Sequence, residues 1–94
     1  MEALLISKNS GMTEYNNSRL VEAVRVVMQR VLGRSLDLGD RSISLRSLGL
    51  DSVAMVELIS ALETEFHIRV LDEDISPVHF RSIDSIAGYL EGKL

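Results

Sequence analysis

The stretch Leu48-Gly49-Leu50-Asp51-Ser52-Val53-Ala54-Met55-Val56-Glu57-Leu58, continued through Ala61-Leu62-Glu63-Thr64-Glu65-Phe66, decides the fold class. Met55, Leu58, Ile59, Leu62 and Phe66 recur at the three- and four-residue spacing of one helical face, which predicts a helix from about Ser52 to Phe66 with that stripe buried. Asp51 stands just before it, where a carboxylate caps free backbone N–H groups and suits the helix dipole. The opposite face carries Val53, Val56, Glu57, Ser60 and Thr64. From Ser47 to His67 there are acids at Asp51, Glu57, Glu63 and Glu65 and no Lys or Arg. An apolar spot ringed by negative charge fits a docking surface for a basic partner; the plainer alternative is a solvated face with incidental valines.

On the N-terminal side, Leu20, Val21, Val24, Val27, Met28, Val31 and Leu32 mark a second amphipathic helix over about Ser18–Leu32. Ser18 is the expected cap at its start and Gly33 the left-handed stop at its end. Residues 34–50 make a connection longer than compact domains usually carry, and Leu36, Leu38, Ile43, Leu45, Leu48 and Leu50 are its expected anchors. The alternation at Ser42-Ile43-Ser44-Leu45 has no second strand to pair with, so an ordered loop is expected. On the C-terminal side, Asp72, Glu73, Asp74 and Pro77 allow only a short helix. Ser82 caps a last helix to about Glu91, with Ile83, Ile86, Ala87 and Leu90 inward. The sum is an all-α domain: three main helices, one short one, and a long loop between the first and second. Residues 1–16 have no periodicity and read as a flexible tail, within which Met12 is an alternative start; residues 17–94 read as the domain.

Composition narrows the function. Ninety-four residues accommodate one domain, too small for a large enclosed catalytic cavity. With no Trp and only Tyr15, Phe66, Phe80 and Tyr89 as aromatics, the core must be aliphatic. A net charge of −4 disfavours a nucleic-acid backbone and favours basic protein partners. The absence of cysteine removes disulfides, thiolate metal sites and a cysteine nucleophile. No apolar run has membrane-spanning length, and neither membrane nor nucleic-acid binding is expected. The cytoplasm is the expected compartment, and a monomer the expected state. His67 and His79 lack partners at metal-ligand spacing, and both are expected at exposed loop or helix-end positions. Asp72-Glu73-Asp74 reads as a solvated acidic turn, since consecutive acids point in different directions. Gly88–Lys93 has the wrong spacing for a phosphate loop.

The Leu48–Leu58 stretch resembles the prosthetic-group motif of acyl carrier proteins, in which Asp-Ser is followed by an apolar residue and then Val-Glu-Leu. The resemblance continues to Phe66, and the family's helix order matches about residues 18–92. It implies a small four-helix bundle that is not an enzyme. Ser52 matches the serine that receives 4'-phosphopantetheine from coenzyme A through a separate phosphopantetheinyl transferase, and Asp51 the acid used in transferase recognition. Val53, Val56 and Glu57 match the partner-facing side of the second helix, and Leu58, Leu62 and Phe66 its core side. The implied role is to shuttle thioester-bound acyl groups from a ligase to downstream transferases or synthases. Ala54 and Thr64 replace acids frequent in fatty-acid carriers, and Glu73–Phe80 is similar to a segment of discrete carriers in secondary metabolism. A specialised pathway is therefore expected. An aminoacyl or peptidyl carrier is the alternative, although peptidyl carriers usually place Gly-His before the serine; a non-modified helical adaptor is a further one.

Overall fold

The structure, a computed structural model, describes residues 17–94. The expected tail, residues 1–16, lies outside the described residues.

Three α-helices occupy the expected places: α1 over Asn17–Leu32, α2 over Ser52–Phe66 and α3 over Ile83–Lys93. Short 3-10 turns at Leu38–Ser42 and Asp72–Asp74 interrupt the connections, and there is no strand among the described residues. Helix α1 packs against both α2 and α3, and the Leu38–Ser42 turn rests on α3. Each helix contributes the side of its wheel that the sequence marks as apolar. Leu20, Val21, Val24, Val27 and Met28 come from α1; Leu58, Leu62 and Phe66 from α2; Ile83, Ile86, Ala87 and Leu90 from α3. Val31, Leu32, Met55 and Ile59 are only partly buried, at the margin of this cluster, because they lie at the edges of their stripes. Helix α1 begins one residue earlier than expected, so Ser18 lies inside its first turn and is not its cap. Gly33 ends it at φ 72°, donating its N–H to the Gln29 carbonyl at 2.8 Å. Helix α2 ends on His67 in the same left-handed conformation, at φ 55°. Ser82 caps α3 by accepting the Ser85 N–H, and the Ser85 hydroxyl accepts the Ser82 N–H in return.

The long connection is ordered and pinned by leucines, as expected, but not by all of those expected. Leu36, Leu45, Leu48 and Leu50 are buried. Ile43 is 39% exposed, a correction: it follows directly on the 3-10 turn in an extended conformation, which leaves its side chain at the surface. The Leu38 side chain lies outside what the structure describes. Polar ties complete the anchoring. Leu36 N–H donates to Gln29 Oε1 at 2.9 Å, and the Arg34 guanidinium to the Leu48 carbonyl at 2.7 Å. Leu45 N–H donates to the Arg81 carbonyl at 2.8 Å, and Arg41 pairs with Asp84 at 2.7 Å. The last two fasten the loop to the start of α3. Gly49, at φ 104°, supplies the backbone conformation from which the chain turns into Leu50 and Asp51.

Candidate functional site

Asp51 is the N-cap of α2: its Oδ1 accepts the Ala54 N–H at 2.8 Å and its carbonyl accepts the Met55 N–H at 2.8 Å. The helix therefore begins on Ser52, whose side chain is exposed and makes no hydrogen bond among the described residues. The capping bond belongs to the acid and not to the serine, which leaves the Ser52 hydroxyl available for chemistry. Asp51→Ala should lower stability by about 1 kcal/mol, read as a fall in urea midpoint, while Asp51→Asn, which keeps the acceptor, should restore most of it.

Ser52 stands at the edge of a groove of about 780 Å³ between the long loop, α2 and the segment before α3. Its floor is Leu45, Leu50 and Phe80, all buried, with Met55, Ile75 and Pro77 on its flanks. The wall formed by residues 72–80 is braced from α3. The Tyr89 hydroxyl donates to Asp74 Oδ2 at 2.8 Å, and the Lys93 ammonium lies 3.8 Å from the same oxygen. Burial, then the bond to Asp74, pushes the Tyr89 phenol up to about 12, so it is neutral and available as a donor at physiological pH. The Tyr89 ring also packs on Phe80, with centroids 5.4 Å apart, and on His79 at 4.8 Å. Two expectations are corrected here. His79 is half-buried against an aromatic ring and is not a free surface group, and Asp74 is a half-buried acceptor in a turn whose other acids, Asp72 and Glu73, are exposed as expected. His67 is exposed at the helix end, as expected.

The outer face of α2 matches its sequence pattern. Val53 is 69% and Val56 68% exposed, with Glu57, Ser60 and Thr64 exposed on the same side. Across the groove, Ile75 and Val78 are also exposed, a continuation of apolar surface that periodicity could not reveal because it lies on an irregular segment. No group of three or more His, Asp or Glu side chains able to hold a metal ion occurs among the described residues. Nor is any described helix long and apolar enough to cross a membrane.

The family model for the phosphopantetheine attachment site matches residues 22–90, spanning all three helices and the groove. The chain belongs to this family. It is 30% identical over 69 residues to an acyl carrier protein of Phaeodactylum tricornutum, across 68% of this chain and 88% of that protein. It is 41% identical over 46 residues to an acyl carrier protein of Bdellovibrio bacteriovorus, across 49% of this chain and 56% of that one. Among solved structures it is similar to chains in two Bradyrhizobium japonicum glycine:carrier protein ligase complexes. One contains the cognate carrier protein and a glycyl adenylate analogue (TM-score 0.63, 22% identity, 82% of this chain and 97% of the other). The other contains glycylated carrier protein (TM-score 0.57, 24% identity, 74% and 92%). At these identities the structural likeness establishes the fold.

Membership makes the chain a phosphopantetheine carrier protein and not an enzyme, with 4'-phosphopantetheine as its covalent prosthetic group. The residues present fit such a group: an exposed, unbonded hydroxyl at a helix start, beside an apolar groove. The group supplies a terminal thiol that holds cargo as a thioester, in a chain that has no cysteine of its own. The residues around Ser52 hold the start of α2 in place. Asp51 sets the first turn of α2, Gly49 turns the backbone into it, and the buried Leu58–Leu62–Phe66 stripe holds the helix against α1.

Proposed function

We propose that Ser52 is the attachment residue and that the chain shuttles thioester-bound acyl groups in a specialised pathway. The observation that carries this is the position of Ser52: it lies within the family span, follows Asp51, and is exposed at the groove's edge with no hydrogen-bond partner among the described residues. Asp51 stands beside it as the acid a phosphopantetheinyl transferase would recognise. A ligase would then load the thiol, and transferases or synthases would take the cargo on. A tether rooted at a surface serine raises the cargo's effective concentration at each docked enzyme without the carrier making or breaking a bond. The cytoplasm is the compartment proposed for the chain. The test is intact mass after incubation with coenzyme A, a divalent metal and a broad-specificity transferase. One arm per chain is expected; an unmodified chain, where a control carrier is converted, would overturn the assignment.

A second reading, an aminoacyl carrier, is favoured by one observation: the solved structures to which this chain is similar contain carrier proteins complexed with a glycine ligase. Offering the holo chain to amino-acid and carboxylic-acid ligases, and weighing the thioester formed, separates the two cargo classes.

Val53, Val56 and Glu57 are the proposed docking residues. Their exposure means the fold has little need of them. Val56→Asp and Glu57→Lys should leave the melting temperature near that of the parent while slowing arm transfer and loading. The Glu57→Lys defect should shrink with rising salt, because screening weakens the attraction it reverses. The Val56→Asp defect should persist, since salt does not restore apolar contact. If Val56→Asp unfolds the domain, the proposed face is misplaced.

A further inference from the structure

The cations of the described domain are mostly committed. Arg25, Arg30, Arg41 and Lys93 sit in ion pairs, and Arg34 donates to the Leu48 carbonyl. Arg46 and Arg81 are exposed, and neither guanidinium has an ion pair or hydrogen bond among the described residues. Both line the groove that Ser52 borders. They are held near each other by the backbone, because the residue before Arg46, Leu45, donates its N–H to the Arg81 carbonyl at 2.8 Å. That bond fixes the two backbones near each other, and in a chain of net charge −4 nothing about bulk charge requires two cations on one groove. Asp51 is the one acid lining the same groove, and its Oδ1 already accepts the Ala54 N–H. A phosphodiester rooted on Ser52 would stand next to that carboxylate and be repelled by it unless cations lay within reach. Guanidinium groups are suited to the task, since their planar N–H fork matches two anionic oxygens at once.

We propose that Arg46 and Arg81 form an anion subsite in the groove, taking the phosphodiester of the attached arm or a carboxylate carried on its cargo. The proposal rests on Ser52 as the attachment residue for the source of the anion, and on the groove alone for the subsite. Arg46 and Arg81 act as positioning residues: they hold the arm along the groove and transfer nothing.

The experiment follows the arginine Nε–H resonances by NMR in the full chain, first apo, then holo with a free thiol, then loaded with butyryl or with succinyl. The 31P resonance of the holo form is recorded in parallel. If the phosphodiester is bound, both Nε–H signals shift between apo and holo while that of Arg69, exposed and outside the groove, does not. The 31P signal then moves in Arg46→Ala/Arg81→Ala more than in Arg69→Ala. If a cargo carboxylate is bound, the shifts appear with succinyl and not with butyryl. Shifts at neither step overturn the subsite. Intact mass keeps the two readings apart. Should Ser52 carry no arm, free 4'-phosphopantetheine is titrated onto the apo chain, where saturable movement of the Arg46 and Arg81 signals upholds the subsite and none overturns it.

Discussion

Ser52→Ala is expected to abolish modification: no mass increment with coenzyme A and transferase, and no thioester formed when any ligase is added. The loss is complete and not graded, because the exposed hydroxyl is the proposed point of attachment and the chain has no cysteine to substitute for the arm's thiol. The fold should not share in the loss. If Ser52 were the helix cap, its removal would cost about 1 kcal/mol. The structure gives that bond to Asp51, which receives the Ala54 N–H, while Ser52 is already the first helical residue. Alanine is a somewhat better helix former than serine, so Ser52→Ala should change stability by no more than about 0.5 kcal/mol in either direction. An arm appearing on Ser52→Ala, located by peptide mapping to another residue, would overturn the assignment while leaving the carrier role intact.

Leu62→Ala should have the opposite profile. Leu62 is fully buried in the centre of the α2 stripe, between Leu58 and Phe66, in the cluster α2 shares with α1 and α3. Truncation removes methyl groups from water-excluded contact and leaves a cavity that a small helical domain can only partly collapse, at a cost of roughly 2–5 kcal/mol. Small domains hold only about 5–15 kcal/mol in total, so the variant should melt far below the parent. Whatever stays folded should still accept the arm, since Leu62 does not line the groove. Thermal melting that ranks Ser52→Ala as the more damaged variant would contradict both burial assignments.

The helices were legible in the sequence for a simple reason. Apolar spacing at three and four residues reports a helix and its buried face together, and all the inward residues expected of the last helix are buried in α3. The same logic separates Val53 and Val56 from Leu58 and Leu62 on one short segment, outward against inward. Where periodicity is missing the reading weakens. Ile43 looked like an anchor because it is apolar in a leucine-rich loop, yet backbone geometry and not composition decides which loop side chains turn inward. Asp74 and His79 looked solvent-exposed because polar residues in irregular segments usually are; their partner, Tyr89, lies on a helix remote in sequence.

The sequence by itself determined the helices, their caps at Asp51 and Ser82, the aliphatic core and the family motif around Ser52, because each is encoded in residues within a few positions of one another. Only the tertiary structure decided the groove beside Ser52, the brace of Tyr89 on Asp74, and the placing of Arg46 and Arg81 on one groove. These depend on contacts between segments tens of residues apart, such as the Leu45 N–H on the Arg81 carbonyl, and packing of the helices fixes them where no local pattern can.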